Sequence, residues 1–533
     1  MAAKRKTIKA KRKTDWSENI NNVGRFIMSA YYVVMVLVFP FYVQDGYRGI
    51  GNVKCFFFSR AGLIAVGLML PISLVMLFLQ RKEISLLERY KRLSVTDWFA
   101  YGYLIVVLLS YLFTVYKDEA VWGADGWQMG LVSQLLFLGI YFFFSRYFRW
   151  SEKMLYLALI SSGLIFLLGI LNRYSIYPIE MYGQQPGFIS TLGNINWFCG
   201  FWSVFAPLGI VWYWNSQTRL SRLIAGIYTV VAFLCGITQG SSSAYLVLVV
   251  LFVLLFYLSF EDNRKMCCFL EIGLLFVLSS QLGRILRYLP VCEMNYENEL
   301  GKALTDTNIT IYIGMIIGAL YLFFRFYLIG RKHYEIQIHK KLRQVVMILV
   351  FLICAGYVLV LALNTCLPGG ILGLSEVSAF VFDESWASSR GATWISGMKA
   401  YASMPPLQKL VGVGSDCFAE YVYAVPELAE YIRMQFGNSR LTNAHNEWIT
   451  MLVNQGALGL ACYAGIFLSA IRRFLKGAKA QPMLFLCAAS ALSYMAHNMV
   501  SFQQVLNAPC VFMMLGIGEG ILRLSEIKET VDK

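Results

Sequence analysis

Long apolar runs, each broken by a short polar stretch, set the pattern of this chain. The runs are continuous and do not alternate, so they lack the period of half-buried strands. Many windows hold close to 20 apolar residues with few charges, enough for a helix to cross about 30 Å of hydrocarbon. In lipid every backbone group needs an internal partner, which leaves helices or a closed barrel. Unalternating runs select helices. The pattern predicts about fourteen spans, near 26–43, 61–80, 97–116, 129–144, 154–171, 196–214, 223–239, 243–260, 267–282, 309–329, 345–363, 447–471, 483–503 and 508–524. The expected fold class is all-α, a polytopic integral membrane helical bundle.

One interval breaks the rhythm. Residues 364–446 contain no spanning segment, and a loop of that length is usually functional. The expected organisation is a basic tail at 1–25, a first bundle part at 26–363, the long loop at 364–446, three closing helices at 447–525 and a second tail at 526–533. The opening MAAKRKTIKAKRK resembles the basic start of a signal peptide, but the apolar stretch after it is long and no small-residue cleavage site follows. It reads as a retained first helix behind a cytoplasmic tail. With the N-terminus inside, inner segments carry 32 Lys and Arg and outer segments 13, and Arg325 lies within a span. The positive-inside bias therefore predicts cytoplasmic termini and an extracytoplasmic long loop.

Composition agrees. The 533 residues are 58% hydrophobic and 14% charged, with mean hydropathy +0.58, too apolar for a soluble chain. The net charge of +15 would suggest nucleic acid in a soluble protein. Here it follows from basic cytoplasmic loops, and no nucleic-acid motif supports that partner. Most of the twelve cysteines, such as Cys199, Cys235, Cys354 and Cys487, lie in apolar runs as small hydrophobes. Cys55, Cys292, Cys366 and Cys417 fall outside, where a disulfide is left open. No Cys/His spacing suits zinc.

Candidate chemistry gathers in the long loop. Of four histidines, His333 and His339 sit in a basic cytoplasmic loop as solvated groups, and His497 lies in the thirteenth span, followed by Asn498, Gln503 and Gln504. His497 reads as a helix-packing hydrogen bonder or a catalyst. His445 is then the histidine outside the membrane. Asn443 is a good N-cap, which would place His445 in the first turn of the next helix. The helix dipole would lower its pKa, and a neutral imidazole can act as general base. The plain alternative is an interfacial histidine capping a helix. Trp448 fits an interfacial aromatic belt, and Gly456 and Gly459 fit close helix packing. Upstream, Arg390, Trp394, Met398 and Tyr401 recur at helical spacing, predicting a short amphipathic helix on the membrane surface that ends at Pro405–Pro406. Gly412 and Gly414 predict a tight turn. The loop cations are Arg390, Lys399, Lys409, Arg433 and Arg440, and arginine's fork suits phosphate oxygens. No DxD, HExxH or GxSxG occurs, so no metal and no cofactor is expected.

These residues resemble those of the bacterial O-antigen ligase and polymerase-like proteins, which include polysaccharide polymerases and protein O-oligosaccharyltransferases. Arg390 and Trp394, then Pro406, Leu407 and Gly412–Gly414, then the HN…G..GL run from His445 to Leu460 follow that family's order. His497 with Pro509 is similar to a further family feature. TLGNINWFCGF, with Asn194 and Asn196, resembles the family's GNPN segment with Ile195 in the proline place. TQGSSSAYLVL resembles a segment with an arginine where this chain has Ser242. The resemblance covers about residues 185–525. It implies a GT-C-like bundle and metal-independent glycosyl transfer outside the membrane. The donor would be a glycan on undecaprenyl diphosphate, and the acceptor hydroxyl would belong to a glycan, lipid or protein. It also implies His445 and Arg390 as catalytic residues and Arg390 with Arg440 at the donor diphosphate. Asn446, Trp394, Asn194, Asn196, Ser242 and His497 would support them. Ligase and polymerase share a donor and stay undivided. The alternative is a lipid-linked glycan flippase, which would need charges lining a passage through both halves.

Overall fold

The computed structural model describes residues 2–81, 85–289, 293–295, 298–329, 338–367, 370–371, 373–374 and 377–531. His333 and Cys292 lie outside the described residues, as does the side chain of His339. Among the described residues, eleven helices are long and apolar enough to cross a membrane. They are α1 (Trp16–Phe41), α2 (Ile50–Leu79), α3 (Val95–Phe113), α5 (Glu152–Arg173), α6 (Ile195–Asn215), α7 (Arg219–Thr238), α9 (Asn263–Tyr288), α10 (Ile309–Phe326), α11 (Lys341–Cys366), α12 (Glu447–Gly477) and α14 (Ala508–Glu526). Three shorter apolar helices stand among them: α4 (Leu131–Tyr147), α8 (Ser243–Ser259) and α13 (Pro482–His497). Among the described residues, strand is confined to the antiparallel pair β1 (Phe188–Ile189) and β2 (Gly193–Asn194). The architecture is that of a polytopic helical membrane protein. The segment that forms α11 is apolar all round and none of its apolar window is buried. In water that helix would have no apolar surface to lean on, whereas in lipid it needs none.

The loops gather at two opposite ends. At one end the Tyr47 hydroxyl donates to Ser190 O (2.7 Å), the Asn52 side chain accepts from Gly126 N (2.7 Å) and Arg390 reaches Val500 O (3.1 Å). Four α-helices described in the long loop stand at this loop end: Trp386–Ser403, Pro406–Val411, Phe418–Ala424 and Pro426–Phe436. At the far end, Ser94 and Asp97 form a capping box at the start of α3. The buried Asp97 carboxylate also takes Arg146 (3.5 Å), Arg523 and the Tyr141 hydroxyl (3.0 Å). Between the ends runs an aromatic core. Tyr103 and Tyr463 ring centroids lie 5.2 Å apart, and Phe467 stacks on Tyr494 at 5.3 Å with planes 5° apart.

Three expectations change. First, α2 starts at Ile50, well before residue 61, so Lys54 is a buried helix residue and not a loop cation. Its ammonium donates to Phe39 O (2.9 Å) and Pro40 O (3.0 Å), carbonyls freed where α1 tightens into a 3-10 turn at Pro40. Second, α13 stops at His497, because Asn498 is drawn away to Glu447. Third, Cys55, Cys366 and Cys417 are free thiols, the first and last of them buried.

α12 is broken at Gly456, whose φ is +68°. The break lets the Gly412–Gly414 turn dock on exposed carbonyls: Val413 N donates to Val453 O and Gly414 N to Asn454 O, both 3.1 Å. These N–H groups are spoken for, so the turn offers no phosphate nest. A Cβ on Gly456 would stand 2.4 Å from the Leu410 backbone. Gly456→Ala should therefore lower stability by about 2 kcal/mol or more, read as a lower thermal midpoint in detergent. An unchanged midpoint would show that the break carries no strain.

Candidate active site at the loop end

The site is built around the start of α12. Its N-cap is Asn446, whose side chain accepts from Trp448 N (3.0 Å) and Ile449 N (3.2 Å). Asn443 is not the cap, and His445 is not in the first turn. Asn443 instead accepts from His445 N (2.9 Å), and His445 adopts φ +47° one residue outside the helix. Thr450 closes the corner, donating to Asn446 O (2.9 Å) and accepting from Ala444 N (3.1 Å). The imidazole packs edge-on against Phe502, with ring centroids 5.4 Å apart. Burial pulls its pKa down to about 4, and the Arg390 charge adds to the fall. These causes replace the helix dipole expected from an in-helix position. The imidazole is neutral at physiological pH.

Arg390 comes to this corner on the helix Trp386–Ser403. The helix buries a face of small residues, Gly391, Ala392, Thr393, Ser396, Gly397 and Ala400. The predicted stripe is not the buried one: Met398 is exposed, and Arg390, Trp394 and Tyr401 are half-buried. Close approach explains the inversion. A Cβ on Gly397 would meet Ile449 at 2.5 Å and Ala444 at 3.3 Å. Thr393 ties the two segments by donating to Ala444 O (2.8 Å). The Arg390 guanidinium donates to Val500 O (3.1 Å) and Ala387 O (3.0 Å), and burial lowers its pKa. Trp394 packs on Trp386 at 5.3 Å with its indole N–H unpaired. Arg440 is exposed and pairs with Glu420. The charge that bears on His445 is that of Arg390.

The other expected segments meet the same region. Asn194 caps α6 by accepting from Asn196 N (2.9 Å). Asn196 accepts from the Ser241 hydroxyl (2.7 Å), Ser241 bonds Ser243 (2.8 Å), and Ser243 bonds His497 Nδ1 (3.0 Å). Ser242, in the arginine place, points away and is exposed. Its neighbours on either side make the buried contacts.

Glu447 borders the same apolar run as His445 but stands outside the expected set of site residues. It is buried, and its carboxylate accepts from the hydroxyls of Tyr463 and Tyr494 and from Asn498 Nδ2. Its backbone N–H donates to Asn498 O (2.9 Å). Gln503 extends this network, bonding Tyr463 (3.2 Å) and Gln134 (2.6 Å). Asp416 is a second such residue, at φ +60°. It accepts from Ala124 N and Met129 N, both 2.9 Å, and so anchors the turn that carries Trp127. Trp127 packs on Phe502 at 4.7 Å. A sequence signal did exist for Glu447 and Lys54, since each is an ionisable residue bordering an apolar run. Among the described residues no group of His, Cys, Asp and Glu could hold a metal ion.

No protein-family model matches the chain, and no curated protein matches it. Fold and site define a multi-pass membrane protein with a polar, arginine- and histidine-bearing site where its long loop meets α12.

Burial pushes the Asp416 carboxyl up to about 7, against the pull of its two backbone N–H partners; Glu119 adds to the rise. The unfolded value is about 3.9, so the folded protein holds the extra proton between about pH 4 and 7. The Asp416 contribution to stability is full below that window and is lost as pH rises through it. Asp416→Asn keeps an oxygen for Ala124 and Met129 and carries no charge. Its thermal midpoint should fall less than the wild type's between about pH 5 and 8. Parallel falls would exclude Asp416 as the titrating group.

Proposed function

We propose that this protein transfers a glycan from an undecaprenyl-diphosphate-linked donor to an acceptor hydroxyl on the outer face of the cytoplasmic membrane. The reading makes it similar to O-antigen ligases and polysaccharide polymerases. One observation carries it: Arg390 and His445, far apart in the chain, meet at one end of a membrane bundle with the arginine charge bearing on a neutral imidazole. In this reading all fourteen apolar helices cross the membrane in a GT-C-like bundle. Both termini are cytoplasmic, and the loop end faces outward, as the Lys/Arg bias favours.

The chemistry follows from the donor. The acceptor hydroxyl oxygen bonds to the anomeric carbon as the bond from that carbon to the phosphate oxygen breaks. The diphosphate leaves with the electron pair, and the hydroxyl proton passes to His445. Diphosphate is a good leaving group, so the enzyme must mainly position the acceptor and neutralise charge. Arg390 supplies positive charge and His445 the base. Asn443 accepts from the His445 N–H, and Thr450 braces the residues on either side of it. A flippase would need charged groups along the whole passage. Among the described residues the buried acidic and basic side chains sit at the ends: Asp97 and Glu519 at one, Lys54, Arg173, Asp416 and Glu447 at the other.

His445→Ala and Arg390→Ala should each lower transfer by about 100-fold or more, with expression and membrane insertion unchanged. Vesicles given a defined lipid-linked sugar would read this. Chelators should leave the rate unaltered. Full activity in His445→Ala, or EDTA inhibition reversed by added metal, would overturn the assignment. A base held near pKa 4 also sets the pH profile. The acid limb of kcat/KM should lie near 4–5, well below the ordinary histidine value of about 6.5. A limb at the ordinary value would remove His445 as the base.

A further inference from the structure

The turn between α13 and α14 holds a run of buried polar atoms without partners. They are His497 Nε2, Asn507 Nδ2 and both amide atoms of Gln504. His497 and Asn507 are fully buried, and Gln504 is 4% exposed. Two of these atoms, His497 Nε2 and Asn507 Nδ2, face a common spot beside Gly200, and Gln504 turns to the neighbouring cavity. A Cβ on Gly200 would stand 2.6 Å from Asn507 Nδ2 and 3.1 Å from His497 Nε2. The turn fixes this geometry, because Asn507 Oδ1 accepts from Gln504 N (3.1 Å) and leaves its Nδ2 turned inward. Serine 243 holds the other imidazole nitrogen, Nδ1, at 3.0 Å.

A cation flanks this run on each side. Arg390 is close enough for its charge to bear on His497 as well as on His445. Lys54 lines a small cavity with Gln504, Trp127 and Trp197. The Lys54 ammonium is fully buried and gives two N–H bonds to Phe39 O and Pro40 O. Its third N–H is left for the cavity. Among the described residues no carboxylate pairs with Lys54 or Arg390; both rest on backbone carbonyls. A buried cation without a counter-charge is costly, and unpaired buried donors add to the cost. An anion would relieve both at once. Two cations and several convergent donors suit a group with at least two negative charges and many oxygens. Trp127 joins the two halves, since it lines this cavity and also packs on Phe502, which bears on His445.

We propose that the Gln504–Asn507 turn, between Arg390 and Lys54, is a diphosphate seat, with Lys54 as its second positive charge. This rests on the transfer reaction above for the identity of the natural ligand, a lipid-borne diphosphate. The seat itself requires only an anion of that chemistry. The resting cavity is small, so occupation needs the Trp127 side chain to shift.

Inorganic pyrophosphate, farnesyl diphosphate and inorganic phosphate serve as probes on the full-length protein in detergent, with tryptophan quenching and thermal shift as readouts. Wild type should bind both diphosphates more tightly than phosphate. Farnesyl diphosphate binding well ahead of pyrophosphate would mark a lipid-borne ligand, and equal binding a free one. Lys54→Met should weaken pyrophosphate about tenfold or more, while Lys54→Arg stays within about threefold. If Lys54→Met does not fold, Lys54→Arg and Gln504→Leu carry the test, the second expected to weaken binding severalfold. Wild-type affinity in Lys54→Met, or in Gln504→Leu where Lys54→Met is lost, overturns the seat, as does a wild type that binds no diphosphate. Pyrophosphate binding is read without any glycan. Diphosphate binding with no transfer would leave the seat standing and overturn the function, and transfer without Lys54 dependence would do the reverse.

Discussion

The carboxylate of Glu447 holds the loop end together. A buried carboxyl group in a membrane helix is tolerated only when its oxygens are hydrogen-bonded. Here two tyrosines and an asparagine supply those bonds from α12, α13 and the turn after α13. The same residue's N–H takes Asn498 O. Side chain and backbone thus clamp residues 498–503 against the start of α12. Two of the clamped residues matter directly: Val500 O receives Arg390, and Phe502 carries the imidazole of His445. Without the clamp the arginine and the histidine would have no common reference.

Electrostatics at this end are arranged in an unusual way. Arg440 and the far-end residues Asp97 and Arg473 have partners of opposite charge. Among the described residues Arg390 and Lys54 donate to backbone carbonyls and to no carboxylate, Lys54 lying over the Phe39 ring as well. Carbonyls orient a cation but leave its net charge in place, so the field is kept for something that arrives. The neutral state of His445 belongs to the same arrangement: burial opposes its protonation first, and the Arg390 charge adds to that. On the proposed function this separates two tasks: charge is met by the Arg390 guanidinium, and the proton by the neutral His445.

Much was legible in the chain. Apolar runs have a length fixed by lipid thickness, so helices appear where the runs do, and the long loop appears where they stop. His445 and Arg390 could be named because their residue types and order are distinctive. Elsewhere local rules misled. Asn443 and Asn446 are equally good caps by type, and the choice fell to Asn446 only because Thr450 and Asn498 hold the backbone there. The stripe of Arg390, Trp394, Met398 and Tyr401 has helical period, yet so does the small-residue face, which wins because α12 approaches closely. Arg440 is by type as good a phosphate ligand as Arg390, and only the fold pairs it with Glu420.

The sequence by itself determined that this is a many-helix membrane chain and where the stretch without a spanning helix lies. Hydrophobic periodicity and residue chemistry are local properties, and a linear chain displays them. Tertiary structure decided which polar groups meet: Glu447 with two tyrosines, Ser243 with His497, Lys54 with the Gln504 turn. Those pairings depend on which helices touch and at what depth. Nearly every apolar run here would satisfy lipid equally well, so only the few buried polar contacts, made across long separations in the chain, select one packing.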